Sequence, residues 1–145
     1  MKYIVTGGAG FIGSNIVKKL VARGDNVTVI DNLNTGKEEN LASIRDKIDF
    51  LKDDILNVEL LEKHAENIDG IFHQAALASV QDSFSKPEEY NNVNVCGTEN
   101  ILKLAKKIGF KVVYASSSSV YGNPEKFQLK RKIAKIQQIH TLKQN

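Results

Sequence analysis

The feature that most narrows the fold is a glycine-rich stretch near the start, Tyr3-Ile4-Val5-Thr6-Gly7-Gly8-Ala9-Gly10-Phe11-Ile12-Gly13. Residues 3–5 are an apolar run of strand length. The glycines break it, and Ile12, Ile16, Val17 and Leu20 then recur at helical spacing. A strand, a glycine turn and a helix in that order form the arrangement that holds a pyrophosphate. Glycine lets the chain turn sharply and approach phosphates without a Cβ in the way. The unpaired N–H groups of the helix's first turn then face the anion. Gly8, Gly10 and Gly13 fit one common dinucleotide spacing; Gly7, Gly10 and Gly13 fit a wider one. An unliganded glycine turn is the competing reading, and the strand and helix on either side weigh against it.

Behind this turn, strand and helix signals alternate. Arg23-Gly24-Asp25 makes a turn with Gly24 as a helix C-cap, and Asn26–Ile30 reads as a second strand ending at Asp31. Asn32-Leu33-Asn34-Thr35-Gly36 reads as a loop and residues 38–45 as a short helix. A third strand is expected at Ile48–Leu51, a helix over residues 57–66 and a fourth strand at Gly70–His73. Pro87 opens a long helix whose face carries Val95, Ile101, Leu102 and Ala105, and Gly109 closes it. Residues 111–115 make a fifth strand that runs into Ser116-Ser117-Ser118-Ser119. The alternation predicts an α/β fold: a Rossmann-like, doubly wound parallel sheet in the order 3-2-1-4-5, truncated after the fifth strand. Each candidate functional loop then falls at the carboxyl end of a strand, where such sheets bind ligands.

The 145 residues suffice for one domain with a core, and 41% hydrophobic with 26% charged residues is ordinary globular composition. No apolar run approaches the roughly 20 residues of a membrane span, and no leader pattern precedes the first strand. Cys96 stands alone, which excludes an internal disulfide framework and suits a reducing compartment, so a cytoplasmic location is expected. No metal site is expected. The net charge of +3 hides an asymmetry. Residues 125–145 hold six of the 20 cationic and one of the 17 acidic side chains, which leaves 14 against 16, a balance of −2, ahead of them. The body therefore gives no reason to expect nucleic acid.

Thr6-Gly7-Gly8-Ala9-Gly10-Phe11-Ile12-Gly13 with Asp31-Asn32-Leu33 resembles the extended short-chain dehydrogenase/reductase superfamily, and within it the NAD-dependent epimerases and dehydratases of nucleotide sugars. The resemblance continues through Asp54-Ile55, His73-Gln74-Ala75-Ala76, Asn94-Val95-Cys96-Gly97-Thr98 and Tyr114-Ala115-Ser116-Ser117-Ser118-Ser119-Val120-Tyr121-Gly122. It covers residues 1 to about 125, so residues 1–124 are expected to be an incomplete NAD-binding domain and 125–145 a basic tail of different character.

Asp31 lies 18 residues beyond Gly13. A carboxylate there accepts hydrogen bonds from the adenosine ribose and repels a 2′-phosphate, which favours NAD over NADP; a loop-capping aspartate is the alternative. By resemblance, Gly7, Gly10, Phe11, Ile12 and Gly13 hold the pyrophosphate, and Asn32 and Leu33 line the adenosine end. Asp54 and Ile55 are implied to flank the adenine, with an acidic turn as the alternative for Asp53-Asp54. The backbone of Gln74, Ala75 and Ala76 is implied to pass close to the cofactor, and Asn94 to contact it. His73 is read as scaffold. Ser117 matches the position of the family's catalytic Ser or Thr, with Ala115 and Ser116 on the nicotinamide side. Ala78 stands where some epimerases carry a lysine.

The resemblance also implies a Tyr-x-x-x-Lys pair on one helical face, in which the ammonium lowers the phenol pKa and the phenolate removes the sugar hydroxyl proton. The four tyrosines do not supply it: Tyr3, Tyr90, Tyr114 and Tyr121 are followed four residues on by Gly7, Asn94, Ser118 and Glu125. Back-translation of the tail in a shifted frame permits Pro-Tyr-Ser-Lys-Ala-Lys across residues 139–145, which motivates the hypothesis of a frameshift near codon 126. The expected function is that of an NAD-binding fragment of a nucleotide-sugar epimerase or dehydratase, inactive alone, with the nucleotide-sugar site incomplete. A binding module whose basic tail engages RNA or an acidic partner is the alternative. The serines at 118 and 119 lean towards an epimerase. An uncovered fifth strand would promote self-association.

Overall fold

The computed structural model describes residues 1–117 and 120. Ser118, Ser119, Tyr121, Gly122 and the basic tail lie outside the described residues. Five strands, β1 Lys2–Thr6, β2 Asn26–Ile30, β3 Ile48–Leu51, β4 Gly70–His73 and β5 Lys111–Tyr114, form one sheet in the order β3-β2-β1-β4-β5. All pairings are parallel, with Val5 opposite Val29 of β2 and Phe72 of β4. This is the order expected from the alternation of strand and helix. Met1–Tyr114 form one compact unit, and the other described residues belong to a second.

Alternation along the strands feeds two cores, one on each face. On one face Val5, Val27 and Val29 pack with Val17 and Leu20 of α1 (Phe11–Ala22) and with Leu41 of a 3-10 segment, Glu38–Lys47. On the other, Ile4, Ile30 and Ile71 pack with Leu61 of α2 (Val58–His64). That face also receives Ile101 and Leu104 from a helix that Pro87 opens and Gly109 ends. The helix runs as α4 (Pro87–Asn91), a π-helical turn (Asn92–Gly97) and α5 (Thr98–Ile108), and Gly109 closes it at φ 97°. A further helix beyond those expected from the sequence, α3 (Val80–Ser85), is capped by Ser79.

The short helix expected over residues 38–45 is a 3-10 segment, Glu38–Lys47. Two details correct the sequence reading. Ile12 is 62% exposed, because α1 leans on the glycine turn through Gly13, where an added Cβ would sit 2.8 Å from Gly8 Cα. Its neighbour one position back therefore turns outward. In the long helix, Leu102 is 50% exposed and Val95 faces out, while Leu104 is buried. The π turn adds a residue to one turn, so a face extrapolated from Val95 with a 3.6-residue period arrives out of phase at α5.

Candidate dinucleotide site

The carboxyl ends of β1, β2 and β4 open onto one pocket, at the point where the strand order reverses between β1 and β4. The glycine turn forms its floor. Gly7 has φ +65°, and a Cβ on it would sit 2.6 Å from the backbone nitrogen of Ala75. Its own N–H donates to Ile30 O at 2.8 Å, which ties β1's end to β2. Gly8 instead faces the core, where a Cβ would meet Val29 Cγ1 at 2.6 Å. Gly7 and Gly10 line the pocket while Gly8 does not, so the wider spacing describes its wall.

Gly10 is the N-cap of α1 and offers no side-chain hydrogen bond, and no acidic residue lies in the first turn. By contrast Asn57 caps α2 and Ser79 caps α3 through side-chain oxygens. The amides of Phe11, Ile12 and Gly13 are thus left for an anion at a positive dipole end. Phe11 and Ile12 have exposed side chains beside it.

Asp31 is only 7% exposed. Its Oδ2 accepts from Ala9 N–H at 2.9 Å and its Oδ1 from Leu33 N–H at 2.9 Å. Each oxygen keeps further acceptor capacity, since an ionised carboxylate has about four lone-pair sites. Ala9 carbonyl in turn accepts from Lys37 N–H at 3.0 Å and from Asn40 Nδ2 at 2.7 Å. The loop after β2 is thereby pinned to the glycine turn from both ends. Gly36 makes this closure possible, because a Cβ there would lie 2.8 Å from Asp31 Oδ1. Leu33 holds a left-handed conformation at φ 62° within the loop.

Across the pocket, Asn32 Nδ2 donates to Asp54 Oδ2 at 2.7 Å, and Asp54 Oδ1 accepts from Leu56 N–H at 3.0 Å. Ile55 is buried beneath them against Gly97, where a Cβ would come within 2.5 Å of Ile55 Cδ1. The loop after β4 completes the wall. Gln74 N–H donates to Thr6 O at 3.0 Å, and Asn94 from the π turn holds Leu77 with both ends of its amide. Leu77 N–H donates to Asn94 Oδ1 at 2.8 Å, and Asn94 Nδ2 donates to Leu77 O at 2.9 Å. His73 lies beneath this loop, buried, with Nδ1 2.7 Å from Thr6 Oγ1 and Nε2 3.0 Å from Thr98 Oγ1. Burial holds its pKa down at about 4, so the ring is neutral. These are the surroundings of a scaffold histidine.

Of the residues singled out from sequence, Gly7, Gly10, Asp31, Asn32, Asp54, Ile55, Gln74, Ala75 and Ala76 line this one pocket. Gly13 is buried behind the turn, Leu33 packs against the core on the α1 face, and Asn94 holds Leu77. Ala115, Ser116 and Ser117 are exposed, in the second compact unit, where Val120 N–H donates to Ser117 O at 3.2 Å. The pocket also takes in Asn34, Thr35, Leu77 and Val93, which sequence reasoning passed over. Gly36 was the available signal for the first two, since a glycine five residues after Asp31 lets the loop fold back. Val93 and Leu77 carried none. Among the described residues no group of His, Cys, Asp and Glu is placed to hold a metal ion, and no helix is long and apolar enough to cross a membrane.

A parallel sheet with a glycine turn, an uncapped helix N-terminus and a strand-end aspartate at its switch point defines a dinucleotide-binding α/β protein. Residues 3–142 match the model of the NAD dependent epimerase/dehydratase family, and the chain belongs to that family. It is 41% identical over 126 residues to UDP-glucuronic acid decarboxylase 1 of Arabidopsis thaliana, covering 86% of this chain and 28% of that protein. A putative UDP-glucose 4-epimerase of Methanocaldococcus jannaschii is 43% identical over 124 residues, 83% of this chain and 40% of that one. The UDP-glucose 4-epimerase of Thermus thermophilus, solved in complex with NAD, superposes with a TM-score of 0.81 at 39% identity, over 92% of this chain and 43% of that one. The chain thus spans well under half the length of these relatives. The family is NAD dependent, and NAD is the cofactor the pocket is read against.

Proposed function

We propose that this chain is the N-terminal, NAD-binding part of an enzyme acting on a nucleotide sugar, and that it binds NAD without turning substrate over by itself. The observation that carries the reading is the pocket wall in which Gly7, Gly10 and Asp31 meet below the uncapped N-terminus of α1. The fit is supported residue by residue. The amides of Phe11, Ile12 and Gly13 would take the pyrophosphate, Asp31 the adenosine ribose, and Asp54 with Ile55 the adenine. Gln74, Ala75 and Ala76 would pass beside the cofactor with little side-chain bulk. NAD, when bound, supplies a hydride acceptor. What this chain's residues do is bind it, orient it and exclude a 2′-phosphate. Ser117, with Ala115 and Ser116 beside it, is the chain's candidate for positioning a sugar hydroxyl.

The sequence holds no Tyr-x-x-x-Lys pair. Losing a general acid/base group alone lowers a rate by roughly 10²–10⁴. The relatives' names include epimerases and a decarboxylase of UDP sugars, so a UDP-sugar is the substrate class we propose for the complete enzyme. We further propose that residues 125–145 are out of frame with the preceding coding sequence, and that the chain resides in a reducing compartment, consistent with one free cysteine. Calorimetric titration with NAD and NADP tests the binding: NAD is expected to bind and NADP at least tenfold more weakly. Equal affinity for the two would overturn the role of Asp31. Sequencing the DNA downstream of codon 124 decides the tail, and a shifted frame without a Tyr-x-x-x-Lys pair sinks the frameshift.

A further inference from the structure

The loop over residues 74–77 is held from below by a set of hydrogen bonds whose directions can be worked out. Thr98 Oγ1 donates to Asn94 O at 2.7 Å, while the backbone N–H of Thr98 goes to Val95 O. The hydroxyl proton of Thr98 is thus committed to the Asn94 carbonyl, four residues back along the helix. A hydroxyl has one proton, so towards His73 Nε2, 3.0 Å away, Thr98 Oγ1 is the acceptor. His73 must then carry its proton on Nε2, and Nδ1 accepts from Thr6 Oγ1–H at 2.7 Å. With its proton used, Thr6 Oγ1 accepts from Ala75 N–H at 3.4 Å. The Asn94 side chain then returns to the same loop through both backbone groups of Leu77.

We infer that His73 and Thr98 are positioning residues for the dinucleotide pocket: they form a one-directional chain, Ala75 N–H to Thr6 to His73 to Thr98 to Asn94 O, that sets the height of loop 74–77 under the cofactor. Through the Asn94 side chain it returns to the loop it began on, so it closes into a ring through β1, β4 and the π turn. Only one tautomer of His73 satisfies all four bonds; moving its proton to Nδ1 takes away the acceptor of the Thr6 hydroxyl proton and leaves Nε2 facing a hydroxyl whose proton is already committed. Gly7 depends on the same setting, since Ala75 stands so close that a Cβ on Gly7 would lie 2.6 Å from its backbone nitrogen. A shift of the loop by a fraction of an ångström therefore reaches the turn that holds the pyrophosphate.

This inference rests on the proposed NAD reading for its consequence, but its core is measurable without NAD. Long-range ¹H–¹⁵N correlation on the wild-type chain reads the tautomer of His73 directly, and the neutral Nε2–H form is expected; a neutral Nδ1–H form overturns the inference. Thr98→Val removes the acceptor for Nε2–H and the donor to Asn94 O at nearly constant volume, whereas Thr98→Ser keeps both. Amide exchange at Ala75 and Leu77 is expected to rise at least tenfold in Thr98→Val while α1 amides keep wild-type rates, and Thr98→Ser is expected to restore it. In NAD titrations, Thr98→Val is expected to bind about tenfold more weakly, with Thr98→Ser within about twofold of wild type. Equal loss in both variants, or uniform acceleration of exchange, overturns the positioning role. A wild-type chain that binds no NAD defeats the functional reading instead, and the tautomer and exchange data then decide this inference alone.

Discussion

The two flanks of β1 are built from the same strand-helix alternation and end differently. On the β2–β3 flank the edge strand β3 pairs only with β2 among the described residues, but its apolar side chains are half-buried: Ile48 and Phe50 pack against the α1-face core with Ile44 of the 3-10 segment, and the Arg45 guanidinium lies 5.1 Å from the Phe50 ring centroid. The functional loop on that side closes on itself, with Asp31, Ala9, Lys37 and Asn40 linked to one another. On the β4–β5 flank, Val113 is 52% and Tyr114 58% exposed, and β5 pairs only with β4 among the described residues. The loop there is held instead by side chains from three separate elements. One flank ties its loop to the glycine turn through Asp31 and Asn40; the other is braced from below and exposes the apolar side chains of its edge strand. Two loops that wall one pocket are thus held in different ways, and the strand edges beside them differ in how much apolar surface they expose.

The comparison breaks most severely at the joint. Gly7→Ala places a Cβ against Ala75 N at a positive φ, so it strains both flanks at once. A loss of more than about 3 kcal/mol in urea unfolding and the disappearance of NAD binding are expected. Asp31→Ala attacks the closed flank alone. It leaves the Ala9 and Leu33 amides unpaired, for about 3 kcal/mol of stability and at least tenfold of NAD affinity. A variant as stable as wild type would mean the loop does not depend on its carboxylate.

Lowering the pH probes the braced flank. His73 is held at about 4 when folded against an ordinary 6.5, so between those values the unfolded chain binds the extra proton. Stability therefore falls as the pH drops from about 6.5 towards 4, by about 2 kcal/mol at pH 5, and levels off below 4. Urea midpoints measured across that range should show the slope, and His73→Gln should flatten it. The smallest effect is expected at the open edge. Val113→Lys should change stability by no more than about 0.5 kcal/mol while reducing self-association in sedimentation velocity. A wild-type chain that sediments as a monodisperse monomer at tens of micromolar would remove the contrast between the edges.

Strand positions and order were legible because apolar runs, glycines and Asp31 each have a local physical meaning. Nine of the cofactor residues read from the sequence meet in one pocket for the same reason: loops at strand carboxyl ends converge wherever a parallel sheet reverses its order. The phase of α5 was not legible, since a π turn is a departure from periodicity that Asn92–Gly97 do not advertise in their composition. Asn94 illustrates the boundary well. Sequence singles it out near the cofactor, while the structure occupies both ends of its amide with Leu77.

What the sequence determined by itself is the glycine turn, the strand-end carboxylate and the absence of a Tyr-x-x-x-Lys pair, because each is a matter of residue type at short spacing. What only the tertiary structure decided is how Thr6, His73, Asn94 and Thr98 are used. Their bonds link positions up to 69 residues apart, and a hydroxyl's single proton fixes a direction only once its neighbours are in place.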